Sequence, residues 1–159
     1  MSDPDSNVPT ETATTATAPA VDPRAPRFGQ GLTASLLAVA IVLGAPWLVA
    51  LVALSLTLAV ASRWRLDPYA LLWRHVLIPL VGPPSRTETA APHRFAKLIG
   101  ATFTLAATPL VLIGGPVALA GYALAGVVAV LAGLAATTGF CLGCRLYGQL
   151  AVARRLDLV

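Results

Sequence analysis

Two cysteines stand three positions apart in Cys141-Leu142-Gly143-Cys144, directly after Thr137-Thr138-Gly139-Phe140, and they are the only thiols in the chain. On a helix, positions i and i+3 share a face at about 5–6 Å, within the range a disulfide can bridge. Arg145 beside the pair favours the thiolate, while burial would oppose it. Three readings follow. Cys141 and Cys144 are a catalytic redox pair, cycling through a disulfide with a partner. Or they are small, soft residues filling a helix–helix contact, as free cysteines commonly do. Or they join His75 and His93 in a two-Cys, two-His metal site. The sequence separation of these four residues gives no zinc-finger spacing, so the metal set is the remote reading and no cofactor is expected. A lone histidine in a setting such as Pro92-His93-Arg94 is ordinarily solvated or lipid-facing, and the same holds for His75.

The frame that must position these residues follows from composition. The chain is 57% hydrophobic and 11% charged, whereas a soluble domain carries about 25% charged residues. Its apolar residues form long runs, Gly31–Ala61 and Phe95–Gly139, which a soluble core does not need. An integral membrane protein in contact with the lipid bilayer is the expectation. The segment Met1–Ala20 is rich in Thr, Ala, Ser and Pro, and has no basic region ahead of an apolar core. It reads as a disordered cytoplasmic tail rather than a secretory signal.

Both apolar runs are interrupted near the middle, at Gly44-Ala45-Pro46 and at Gly114-Gly115-Pro116, where proline ends or kinks a helix. Four segments result: Phe28–Leu43, Trp47–Ser62, Phe95–Ile113 and Pro116–Thr138. At 1.5 Å per residue the first two are about 24 Å long, short of a bilayer core of about 30 Å, so local thinning or snorkelling must close the gap. Charge decides between two kinked spans and four. With four, the uncharged Gly/Pro turns lie outside. Arg24, Arg27, Arg63, Arg65, Arg74, Arg86, Arg94, Lys97, Arg145, Arg154 and Arg155 then all lie inside, as the positive-inside rule requires. With two, the basic stretch from Arg63 to Lys97 would face outside.

Pro26-Arg27-Phe28 precedes the first pair of segments and Pro92-His93-Arg94-Phe95 the second, so the halves read as a tandem, parallel repeat. Between them Asp67 is placed to cap a helix with Pro68 at its first position, running to Ile78 before Pro79. Its apolar Leu71, Leu72, Trp73, Val76 and Leu77 against a polar stripe of Asp67, Arg74 and His75 suit a helix in the headgroup layer. The expected fold is thus an all-α membrane protein with four transmembrane helices in two tandem hairpins and an interfacial amphipathic helix between them. The expected limits are a tail over 1–22, a membrane domain over 23–150 (repeats 26–82 and 92–150) and a C-terminal tail over 151–159. The expected location is the inner (plasma) membrane, with both termini cytoplasmic.

What is missing also restricts function. No Asp, Glu, Lys, Arg or His falls within the middle of a span, which argues against an ion-coupled permease. Thr33, Ser55, Thr57, Thr102, Thr104, Thr108, Thr137 and Thr138 are the polar side chains within the spans, and most are expected to bond back to their own helices or to bridge helices. The basic residues form no helix face with aromatic platforms, so no nucleic acid is expected. Gly121, Ala125, Ala129 and Gly133 make a small-residue ridge for close helix packing, with a homo-oligomer as the lesser possibility. Trp47 and Tyr122 at one end, and Trp64, Tyr69, Trp73 and Tyr147 at the other, suit interfacial belts.

The segments VDPRAPRF, APHRFAKLIG and CLGCRLYG together resemble a bacterial membrane family, domain of unknown function 4395, across Val21 to Gly148. The resemblance implies thioredoxin-like proteins and thiosulfate sulfurtransferases as neighbours, and so a thiol-disulfide or sulfur-relay role for Cys141 and Cys144 with such a partner on the cytoplasmic face. The CxxC in a last helix is also similar to the vitamin K epoxide reductase-like family. This chain departs from that family by placing the motif inside and by lacking further loop cysteines. The competing expectation is a non-enzymatic membrane scaffold whose cysteines only pack.

Overall fold

The computed structural model describes residues 20–84 and 87–139, together with residues 145, 148 and 149. A short strand β1 (Ala20–Val21) leads into α1 (Arg24–Leu43) and α2 (Pro46–Ala61). A connecting helix follows, made of α3 (Pro68–Leu72), a π-helical turn (Trp73–Leu77) and α4 (Ile78–Val81). Then come β2 (Glu88–Thr89), α5 (Ala90–Ile113) and α6 (Gly115–Thr138). Apart from the two-residue antiparallel pairing of β1 with β2, the fold is all-α.

The Gly/Pro interruptions mark the turns. Gly44 adopts φ 59°, which an L side chain disfavours, and the Ala45 amide reaches back to the Ala40 carbonyl at 2.8 Å to close α1. Pro46 then starts α2 at the first position, where its missing N–H is no loss. The second turn repeats the device with Gly114, Gly115 and Pro116. Neither turn carries a charged residue.

The four long helices form one bundle. α1 packs against α2 and α6, and α5 packs against α2 and α6. Their shared core is aliphatic and small, with Leu37, Val49, Val52, Ala107 and Ala125 fully or nearly fully buried. The outer surface is equally apolar: Val42, Leu43, Trp47, Leu54, Leu119 and Val130 are all well exposed. Such a surface suits hydrocarbon and not water. Three helices, α1, α5 and α6, are long and apolar enough to cross a membrane, while α2 has 16 residues. This is the build of a multi-pass membrane protein.

Most described hydroxyls within the bundle bond back locally, whereas the buried Thr57 Oγ1 finds no partner among the described residues. Ser55 donates to the Leu51 carbonyl, Thr102 to Leu98, Thr104 to Gly100, Thr108 to Thr104, and Thr137 to Gly133, all at 2.8–3.0 Å. These are the i−4 bonds expected of hydroxyls in an apolar helix.

α2 ends without glycine. Arg63 and Trp64 take φ of 53° and 70°, and the Trp64 amide bonds the Ala59 carbonyl at 2.8 Å. The connecting helix differs from expectation in its end. It does not stop at Ile78 but continues through Pro79 to Val81. A proline ring clashes with the carbonyl four residues back in an α-helix. The preceding π-helical turn widens the coil by one residue and removes that conflict.

Candidate functional site at the charged end of the bundle

The described basic residues and all three described acids gather at one end, where α1 and α5 begin and α2 and α6 finish. The contacts there were not apparent from periodicity. Asp67 caps α3 as expected, its Oδ1 accepting from the amides of Tyr69 at 3.1 Å and Ala70 at 3.3 Å. It does not, however, sit in a polar stripe facing headgroups. It is buried, and its other oxygen accepts a hydrogen bond from the Lys97 ammonium of α5 in an ion pair. That pair ties the connecting helix to the second hairpin. The same ammonium lies 5.7 Å from the centre of the Tyr69 ring.

Tyr69 and Trp73, expected at a membrane interface, are turned inward instead. Tyr69 packs against Gly29, where an added Cβ would already lie 3.4 Å from the Tyr69 Cβ. Its phenol oxygen makes no hydrogen bond of ordinary geometry. Burial pushes the phenol above its usual pKa of 10.0, outweighing the hydroxyls of Thr33 and Ser55 nearby. Trp73 donates its indole N–H to Asp22 at 3.2 Å and meets the Phe28 ring at 5.5 Å. Asp22 also accepts from the Arg24 amide at 2.9 Å, which fastens the start of α1. Trp64 lies under the Arg94 guanidinium at 5.5 Å.

The candidate metal histidines occupy the same end in different settings. His75 is exposed on the π-helical turn, its ring bonded to the Leu71 carbonyl at 2.9 Å. His93, in the first turn of α5, stands 3.6 Å from Glu88. Among the described residues no three metal-ligating side chains come together. Cys141 and Cys144, the candidate redox pair, lie outside the described residues. What is described next to them is the end of α6. Gly139 has φ 70°, and a Cβ there would lie 2.7 Å from an Arg27 guanidinium nitrogen, so the Arg27 cation stands against the C-terminus of α6.

The small residues of α6 serve two neighbours. Gly121 is pressed against Ala107, Leu110 and Val111 of α5, whereas Gly133 faces Ala34 and Gly126 faces Ile41 of α1. Between α5, α6 and the start of α1 lies a cavity of about 140 Å³, almost wholly apolar in its lining.

Residues 21–151 match the family described as Domain of unknown function (DUF4395). The chain belongs to that family. The match takes in all four long helices and the sequence through Cys144, so the whole bundle and the thiol pair fall within one family unit. No curated protein and no solved structure matches this chain. The family carries no assigned activity in its description, and function must therefore be argued from the residues.

Proposed function

We propose that the chain is a four-span protein of the inner (plasma) membrane, with both termini cytoplasmic, that presents Cys141 and Cys144 as an exchangeable dithiol. The observation that carries this reading is the charge polarity of the bundle. The described basic residues all lie at one end and the two Gly/Pro turns at the other are uncharged. α2 is short, but it packs between α1 and α5 within the same layer and connects their opposite ends, so a membrane crossed by α1 and α5 is crossed by α2 as well. The positive-inside rule then assigns the charged end to the cytoplasm. A parallel duplication also fits: exchanging α1 with α5 and α2 with α6 carries the α1–α6 contact onto α2–α5.

In sequence the thiols follow Gly139 within five residues, and Arg145 comes directly after Cys144. A cation beside the pair favours thiolate over thiol, the form that attacks a disulfide. In the exchange, the Cys141 and Cys144 thiols give up two electrons and two protons to the disulfide of a thioredoxin-like partner. An intramolecular disulfide forms here, and a dithiol forms in the partner. A sulfurtransferase carrying a persulfide would pass its outer sulfur to the same thiolate, leaving a persulfide here and a free thiolate on the donor. The absence of an ionisable group at mid-span leaves no relay for ion-coupled transport.

Single Cys141→Ser and Cys144→Ser variants, expressed in cells and quenched with acid, should each retain or lose a mixed disulfide with a soluble partner, according to which thiol attacks first. No trapped partner from either variant, together with a silent double variant, would leave the cysteines as packing residues in a membrane scaffold. Membrane-impermeant maleimide on intact cells tests the orientation, and labelling of these thiols before permeabilisation would overturn it.

A further inference from the structure

α5 and α6 do not stay equally close along their length. Near the turn that joins them, Gly121 leaves no room for even a methyl group against α5. Toward the charged end they part around the cavity of about 140 Å³, which opens sideways where Phe103, Val127 and Leu131 are themselves exposed. Both helices are long and apolar enough to cross a membrane, so this mouth faces hydrocarbon. Apolar cavities of about 150 Å³ stay dry and take up benzene, so this one has room for about six carbons of an alkyl chain.

Polarity along the cavity is one-sided. Gln30, Thr33 and Lys97 line it only toward the charged end of the bundle. Lys97 is already balanced by Asp67. One helical turn below Gln30, Arg27 stands against the end of α6, and basic residues outnumber Asp22, Asp67 and Glu88 across this end. An apolar slot open to the bilayer, with a cationic rim at one end, is complementary to one class of molecule. The geometry points to a binding site for an anionic phospholipid, with one acyl chain lying in the α5–α6 cavity and the phosphate on Arg27. This inference rests on α5 and α6 lying in the bilayer and is independent of the thiols.

The test uses the full chain purified in dodecyl maltoside, incubated with dioleoyl phosphatidylglycerol or dioleoyl phosphatidylcholine and examined by native mass spectrometry. The phosphatidylglycerol adduct should survive about tenfold better, a difference of about 1.4 kcal/mol. Arg27→Gln should reduce phosphatidylglycerol to the phosphatidylcholine level, and Ala132→Phe, which fills the cavity wall, should lower both. Should Ala132→Phe not fold by circular dichroism, Ala132→Ile takes its place with a smaller loss. Equal retention of the two lipids by the wild type overturns the headgroup assignment. Undiminished phosphatidylglycerol on a folded Ala132 variant overturns the cavity and leaves only surface charge. The Cys141→Ser/Cys144→Ser double variant should bind lipid as the wild type does, which separates this outcome from failure of the dithiol reading.

Discussion

Gly121 provides the most demanding test of how α5 and α6 are packed. A Cβ built on it would lie 2.7 Å from Val111 Cγ1, 2.9 Å from the Ala107 carbonyl oxygen and 2.9 Å from Leu110 Cβ. Ordinary carbon contacts fall at about 3.5–4.0 Å, so Gly121→Ala is short of room by about 1 Å. One obstacle is backbone and another is a Cβ, so rotating a side chain cannot relieve the crowding and the two helices must move apart. Overpacking of this kind costs about 1–3 kcal/mol, partly offset by alanine's helix propensity advantage over glycine of up to about 1 kcal/mol. Gly133→Ala and Gly126→Ala are the matched controls, because their new methyl groups meet Ala34 Cβ and Ile41 Cδ1 at 3.7 Å, ordinary contact. They gain the propensity term without the clash. Gly121→Ala should therefore be less stable than Gly133→Ala by about 2 kcal/mol, roughly a thirtyfold shift in the unfolding equilibrium. Reversible unfolding by dodecyl sulfate in mixed micelles, followed by far-ultraviolet circular dichroism, reads this directly. Equal midpoints for the two variants would show that α5 and α6 do not touch at Gly121 as described.

Three further predictions concern the charged end. Lys97→Met should destabilise by about 3–5 kcal/mol, the usual cost of stranding one member of a buried pair. Adding Asp67→Asn, which keeps the cap on α3, should recover much of that loss in a double-mutant cycle. Trp73→Phe keeps the ring against Phe28 but loses the bond to Asp22, which should cost about 1 kcal/mol and speed hydrogen exchange of the Arg24 amide. Because burial raises the Tyr69 phenol above 10.0, the unfolded chain loses that proton first as pH climbs. The stability held below pH 10.0 should fall above it, and Tyr69→Phe should flatten that alkaline limb in a thermal melt series.

Much of this architecture could be read locally. Gly44-Ala45-Pro46 and Gly114-Gly115-Pro116 announce their turns because positive φ and a missing N–H each have a residue type that suits them. The cap at Asp67-Pro68 is equally local. The partners of Asp67 are a different matter, since its ion pair with Lys97 spans 30 residues and the Trp73–Asp22 bond spans 51. No period or spacing encodes such pairs. For the same reason Asp67 reads as part of a polar stripe, and Tyr69 and Trp73 as interfacial aromatics, when the end of the bundle closes over all three. The continuation of that helix past Pro79 depended on a π-helical turn, for which Trp73–Leu77 carries no distinct residue signature. The cavity between α5 and α6 arises from a change in helix separation, set by Gly121 at one end only. The ridge of small residues on α6 gave the place of close approach but not that its members divide between α5 and α1.

The Asp67–Lys97 pair also bears on how the chain is made. Translation proceeds at about 5–20 residues per second, so the 30 residues separating the two charges take roughly 2–6 s to synthesise. Throughout that interval the first hairpin exists with its acid unmatched, and Asp67 cannot enter an apolar setting without a counter-ion. On the proposed four-span topology, the connecting helix waits in the headgroup layer until α5 arrives. Arrival of α5 with Lys97 is then the event that closes the bundle over Asp67.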